Sequence, residues 1–153
     1  MKESGYLYNN EAIACIAIGY FLKQHRMISM AKILLVLPFL LHEPTVRKLK
    51  NKSYKRSLEE FILKNPDCFI NFNARFFDFL PLTINSLTIL GELGVTKIKR
   101  EKIFYDYRTL FSPEKSNLIG ERAKSMIAAI DQLQELIHDQ DVNSFYLQLK
   151  IEL

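Results

Sequence analysis

Apolar residues dominate one stretch of this chain, Ile33–Leu41, which only Pro38 interrupts and which a basic segment follows. A membrane span needs about 20 apolar residues, and this run is shorter because Lys32 and His42 bound it. Its proline also lacks a backbone donor that lipid could not replace. The pattern therefore predicts a buried helix from about Ser29 to His42 that Pro38 kinks or restarts, with a buried strand as the weaker alternative.

The preceding and following segments repeat apolar residues at helical spacing. Asn9 or Asn10 can cap a first helix that ends near His25 and whose apolar stripe is Ala12, Ile13, Ile16, Ala17, Tyr20 and Phe21. Ser57 and Glu60 form a capping box for a short helix that ends at Asn65-Pro66. These two local signals predict helix starts without reference to the rest of the fold.

A third helical pattern is rich in phenylalanine and leucine and runs from Asp67 to Gly94, with a bend expected at Pro81. Its first half carries Cys68, Phe69, Phe72, Phe76 and Phe79, and its second half carries Leu82, Leu87, Leu90 and Leu93. Such an aromatic stripe is more often core than a ligand site. We therefore predict that this segment packs in the interior.

The pattern changes period at Val95–Tyr105, which predicts a small β-hairpin with the polar tip Lys99–Lys102. The tip contains neither glycine nor asparagine, so its turn type is not predicted. A long helix is expected from about Ser116, bearing Leu118, Ala123, Met126, Ile127, Ile130, Leu133 and Ile137 on one side. Asp141 can cap a final short helix.

These elements predict a mainly α fold, a compact helical domain with one β-hairpin. Helices followed by a two-stranded wing outline a winged-helix-like core, here with a C-terminal helical extension. We expect one domain over residues 1–153, with the helical core and hairpin at 8–105 and the extension at 112–153. A chain of this length can bury about two-thirds of its unfolded surface.

Composition indicates a cytoplasmic protein without a membrane anchor. The first twelve residues have no apolar core of the kind that a signal peptide requires. The two cysteines, Cys15 and Cys68, lie in apolar patterns without CxxC spacing, which is typical of small buried side chains. We therefore expect no disulfide and a cytoplasmic location.

Charge is unevenly distributed along the chain. Residues 1–112 contain 17 Lys and Arg against 10 Asp and Glu, whereas residues 113–153 contain 4 against 7. This asymmetry suggests two different partner surfaces, although solvation alone explains it equally well.

Two basic segments are candidates for contact with phosphates, since ammonium and guanidinium groups displace condensed counterions. The first follows Pro44 and comprises Arg47, Lys48, Lys50, Lys52, Lys55 and Arg56; the second is the hairpin with Lys97, Lys99, Arg100 and Lys102. The alternatives are a solvated loop and a charged strand edge that discourages pairing. Nothing in either segment specifies bases.

Motifs that carry catalysis or bind cofactors are scarce in this sequence. There is no glycine-rich phosphate loop, and His25, His42 and His138 have no second histidine three or four residues away. Asp139 and Asp141 are better interpreted as helix-end caps than as a metal loop. We therefore expect a protein that is not an enzyme and holds no cofactor or metal.

Several segments together resemble the middle component of prokaryotic three-component ABC systems, best over residues 8–105. They are Tyr8–Ala12, the segment VLPFLLH with the threonine-arginine turn after it, Ser57-Leu58 with Asn65-Pro66, Leu82–Leu90 with Gly94-Val95, and Val142–Ile151. One departure is Lys150, which stands where the family usually has glycine.

The resemblance implies a role in Lamassu-type anti-phage defence. In such systems an SMC-like ATPase senses foreign DNA, an effector, often a nuclease, attacks, and the small middle component bridges them. It implies a non-catalytic adaptor with these two subunits as partners and double-stranded DNA as a possible contact within the complex. A stand-alone winged-helix DNA-binding regulator remains the alternative.

Overall fold

The computed structural model describes residues 10–51 and 57–153. Helices make up most of it, which confirms the predicted mainly α fold: α1 (Glu11–Gln24), α2 (Met30–Ile33), α3 (Val36–Leu40), α4 (Glu43–Lys50), α5 (Leu58–Lys64), α6 (Phe72–Glu92), α7 (Glu121–Ile137) and α8 (Val142–Gln148). Short 3₁₀ turns occupy Pro66–Cys68 and Pro113–Lys115. Among the described helices, none combines the length and the apolar character that crossing a membrane requires.

The strands β1 (Met27–Ser29), β2 (Thr96–Lys99) and β3 (Lys102–Tyr105) form an antiparallel sheet in the order β1-β3-β2. The hairpin β2–β3 is the predicted one. Strand β1 was not predicted, because three residues between two helices carry no periodic signal and gain their partner, β3, only in the folded chain. The chain forms one helix, then one strand, then a group of helices and finally two strands, and the first strand pairs with the third. This is the element order of a winged-helix domain.

The apolar run at 33–41 lies in the centre of the core, as predicted, but not as one helix. Leu34 and Leu35 form a turn that separates α2 from α3, and Pro38 sits in the first turn of α3, where its missing N–H costs nothing. Ser29 caps α2 by accepting a hydrogen bond from the Lys32 amide at 3.3 Å. All residues of α3 are buried.

Helix α1 is capped by Asn10, whose side chain accepts from the Ile13 amide at 3.1 Å. Its predicted stripe is partly wrong: Ala17 and Phe21 are buried, but Ala12 is exposed, and the buried face also contains Ala14, Ile18 and Leu22. The face differs because α1 packs between α6 and α7 and so buries more of its circumference than a one-sided helix.

Helix α6 continues through Pro81 rather than bending into two elements, and it ends where predicted. Gly94 takes the left-handed conformation (φ +73°). The Val95 amide donates to the Leu90 carbonyl and the Gly94 amide to the Gly91 carbonyl, which completes a Schellman motif. The chain then turns directly into β2.

The long helix of the C-terminal extension begins later than the predicted start near Ser116. Helix α7 starts at Glu121, and Leu118, which was assigned to its apolar face, is 95% exposed. The preceding loop is held to α1 by Lys23, whose ammonium donates to the Phe111 carbonyl at 2.9 Å and pairs with Glu114 at 2.8 Å. Asp141 caps α8 as predicted, accepting from the Ser144 amide at 3.1 Å.

Candidate protein- and nucleic-acid-binding surfaces

The first basic segment is a helix as far as Lys50 rather than a solvated loop. Pro44 lies in the first turn of α4, and Val46 and Leu49 are buried against α7 while Arg47, Lys48 and Lys50 are exposed. The spacing of Val46 and Leu49 explains the helix, because apolar residues three positions apart can share one face of a helix. Lys52, Lys55 and Arg56 lie outside the described residues.

The charges of α4 are partly engaged by neighbours. Lys50 donates to the Ser125 hydroxyl of α7 at 3.1 Å, and Arg47 lies 3.7 Å from Glu43 one turn earlier. The Arg47 pair is exposed on both sides, so it contributes little stability and leaves the guanidinium accessible.

The hairpin tip presents Lys99, Arg100 and Lys102, all of them exposed. Arg100 and Glu101 both take positive φ, 47° and 61°, so the tip is a two-residue turn of the I′ type, formed without glycine or asparagine. Lys99 stands directly opposite Lys102 in the ladder, and like charges at opposed positions destabilise a sheet. The tip therefore concentrates positive charge at a cost to its own stability.

Lys97, at the base of the hairpin, differs from the tip residues. Its ammonium pairs with Asp106 at 3.1 Å, and Asp106 also accepts from the Arg108 guanidinium at 2.7 Å. Hydrogen bonds from Arg108, joined by the one from Lys97, hold the pKa of the Asp106 carboxyl well below its usual range. Because Lys97 is paired with a carboxylate, it is a weaker candidate for phosphate contact than the exposed residues of the hairpin tip.

The structure does not bring the α4 residues of the first basic segment, as far as Lys50, together with the hairpin tip. Lys50 contacts Ser125, near the start of α7, whereas Lys102 lines a cleft with Ile137 and His138, at its end. About 18 Å of helix separates Ser125 from Ile137. The α4 residues and the hairpin tip are therefore two surfaces rather than one continuous strip.

Helix α6 occupies the position that precedes the wing, where a winged-helix protein would place its DNA-reading helix. Its arginine, Arg75, points inward: the guanidinium donates to the Cys68 carbonyl at 2.7 Å and lies 5.2 Å from the centre of the Phe72 ring. Burial lowers the pKa of Arg75 to about 10. The outer face instead exposes Phe77 and Ile84, at 43% and 56%.

A groove of about 780 Å³ runs between α2, α6, α8 and the C-terminal residues. Its walls are mainly apolar and include Leu34, Phe76, Leu80, Tyr146, Ile151 and Leu153. The Tyr146 hydroxyl donates to the Ala31 carbonyl at 2.7 Å, which ties α8 to α2, and burial raises the tyrosine pKa to about 12. Sequence periodicity did not reveal this groove because its walls come from segments far apart in the chain.

One polar cluster also escaped prediction, since its members are distant in sequence. The His42 ring nitrogen Nδ1 lies 2.7 Å from the Thr45 hydroxyl, and Thr45 in turn hydrogen-bonds the Cys68 thiol. Burial raises the pKa of Cys68 and lowers that of His42, so the thiol stays protonated and the imidazole neutral at pH 7. This cluster joins the start of α4 to the turn before α6.

Fold and surfaces together define a small winged-helix-like domain with a basic wing and apolar outer faces. A model of the family described as ABC-three component (ABC-3C) system Middle Component 3 matches residues 8–153. The chain therefore belongs to that family, and it is a component of a multi-component ABC system. Neither a curated protein nor a solved structure matches it.

Proposed function

We propose that this chain is a non-catalytic adaptor subunit of an anti-phage defence complex of the Lamassu type. In this role it bridges an SMC-like ABC ATPase and an effector such as a nuclease. The observation that carries the proposal is the family match over residues 8–153, because a middle component acts with the other components of its system. Its partners are therefore sought among the other subunits of that system.

The chemistry of the described residues supports an adaptor rather than an enzyme. Burial keeps the Cys68 thiol protonated, which removes its nucleophilic character, and the neighbouring His42 imidazole is hydrogen-bonded to Thr45. Within the described residues, no three side chains of His, Cys, Asp or Glu converge on a possible metal site. Exposed side chains on the outer face of α6 are mainly uncharged, whereas those at the hairpin tip are mainly basic, which provides different surfaces for two partners.

The direct test is reconstitution of the complex. We expect the chain, co-expressed with the ATPase and the effector encoded beside it, to co-elute with both, and pairwise mixtures to show which subunit each surface binds. Infection assays of cells that carry all three genes, with and without this one, then test the defence role. A chain that remains monomeric beside both subunits would contradict the adaptor.

A second candidate, a winged-helix DNA-binding regulator acting alone, is favoured by one observation, the basic wing on a winged-helix element order. It predicts that the isolated chain binds duplex DNA with log affinity falling steeply and linearly in log salt. The outer face of α6 speaks against it, since Asp78 and Glu92 are exposed there and repel phosphates. In the adaptor proposal the wing contacts DNA only within the assembled complex.

A further inference from the structure

The outer face of α6 carries a heptad pattern that nothing in the described fold covers. Every seventh residue from Ala74 (Ala74, Pro81, Thr88) and from Phe77 (Phe77, Ile84, Gly91) is uncharged and exposed. This alternating spacing of three and four residues is that of the a and d positions in a coiled coil. Ile70, in the turn before α6, is also exposed, at 77%.

The seam suits the close approach of another helix. Ala74, Thr88 and Gly91 are small, and the Thr88 hydroxyl donates to the Ile84 carbonyl at 3.0 Å, so it turns its methyl group outward without an unmet hydrogen bond. Pro81 has no N–H to donate to the Phe77 carbonyl, so this oxygen loses its usual intrahelical donor.

Charge beside the seam indicates what covers it. Asp78, Asn85 and Glu92 recur at seven-residue intervals on the exposed flank, adjacent to the d positions. An antiparallel second copy of this chain would bring the same acidic row against Asp78 and Glu92, and like charges at such positions oppose pairing. A parallel copy would bring only the uncharged positions Asn73, Leu80 and Leu87 against the row and leave it without cations. A helix with lysine or arginine along the flank of its apolar seam would complement the row.

We propose that α6 docks an amphipathic helix of another component of the ABC system, one with an apolar heptad seam and a basic flank. The occupied seam spans Ala74 to Gly91, so the partner helix contributes about 18 residues, or two and a half heptads. This inference rests on the proposed adaptor function and assigns one of its contacts. The helix position that would read DNA in a winged-helix regulator serves here to hold a protein.

The test compares variants of the reconstituted complex. Ile84→Lys and the double change Asp78→Lys with Glu92→Lys should each weaken binding to one of the two other components at least tenfold. The matched control is Ile98→Lys, the same substitution on β2 at similar exposure (52% against 56%), which should leave the affinity unchanged. Thermal unfolding of each variant verifies the fold, and Thr88→Lys provides a second seam variant should Ile84→Lys unfold.

The occupant is identified by a photo-crosslinker, p-benzoylphenylalanine, placed at position 84 in the complex. The expected adduct lies in a helical segment of a partner subunit that has the heptad seam and the basic flank. Adducts to a second copy, to residues 1–9 of the same chain or to a segment without that pattern would overturn the inference, as would a complex that tolerates the seam variants. If the unmodified chain binds neither component, the adaptor function itself fails, and the docked helix with it.

Discussion

Helix α6 and the β2–β3 hairpin are neighbours in the chain, joined at Gly94, yet they expose opposite chemistry. The helix turns its single arginine inward and presents an uncharged seam with an acidic flank. The hairpin buries Ile103 and Tyr105 but presents Lys99, Arg100 and Lys102 at its tip. A winged-helix regulator would need basic residues on both elements to follow a duplex.

The comparison teaches that an element order does not fix what a domain binds. Here the helix buries one face in the core and exposes a mainly uncharged outer face, while the wing exposes four cations, Lys97, Lys99, Arg100 and Lys102. The two elements can therefore be tested separately, one by stability and protein binding, the other by response to salt.

The largest effect is expected on the inner face of α6. Phe72 is fully buried, with its ring 4.9 Å from that of Phe39, so Phe72→Ala should leave a cavity and cost about 3–5 kcal/mol of unfolding free energy. Ile98→Ala on the wing, where the side chain is 52% exposed, should cost less than about 0.5 kcal/mol. Urea unfolding measures both changes in unfolding free energy. Equal losses would contradict the prediction that α6 contributes more to stability than the hairpin.

Charge reversal at the wing should act on DNA binding and not on the fold. We expect Lys99→Glu, Arg100→Glu and Lys102→Glu together to make the slope of log affinity against log salt shallower by about three in the assembled complex. Duplex DNA titrations at several salt concentrations give this slope, with Lys115→Glu as the control. An unchanged slope would remove the wing from any DNA contact.

A substitution at Gly94, which connects α6 to β2, should have a smaller effect on stability. Gly94→Ala places a side chain in the left-handed region, which we expect to cost about 1 kcal/mol of unfolding free energy. Lys150 offers the reverse experiment, because it stands at φ +55° in a second Schellman motif at the end of α8. Lys150→Gly should stabilise the chain by up to about 1 kcal/mol; a loss there would contradict the argument for both positions.

The smallest effect concerns pH. Burial lowers the pKa of His25 and of His42 below the ordinary value of 6.5, so the fold favours their neutral forms. The unfolded chain then binds more protons, and stability should decrease as the pH falls through 6.5 toward 5.5. Melting temperatures at pH 7.5 and 5.5 test this, and His25→Gln should retain only part of the difference. A melting temperature that rises on acidification would show the opposite sign.

Local signals in the sequence were sufficient where neighbouring residues alone decide the conformation. Asn10, Ser57 and Asp141 cap the helices for which they were predicted, since each accepts an amide hydrogen bond from a residue three positions later. Gly94 ends α6 for the same kind of reason. Position 150, where the family usually has glycine, takes a left-handed conformation in this chain. That conformation explains a preference for glycine there.

Contacts with segments distant in the chain determine the conformations that these local signals do not specify. Strand β1 exists because β3 lies beside it, and Arg100 and Glu101 accept positive φ because the flanking strands pair. Leu118 shows the same limit from the other side: it fits a helical spacing but has no surface to pack against. Apolar periodicity identifies a face without saying whether another element covers it.

The candidate surfaces divide in the same way. The sequence by itself determined that Arg47, Lys48, Lys99, Arg100 and Lys102 are exposed cations, because charged side chains rarely leave water unpaired. It also determined that the run at 33–41 is core. Only the tertiary structure decided that Lys50 and the hairpin residue Lys102 lie at opposite ends of α7. It also decided that Phe77 and Ile84 remain exposed while Phe72 and Phe76 are buried. Hydrophobicity is a property of a residue, but burial depends on which other segments the fold brings against it.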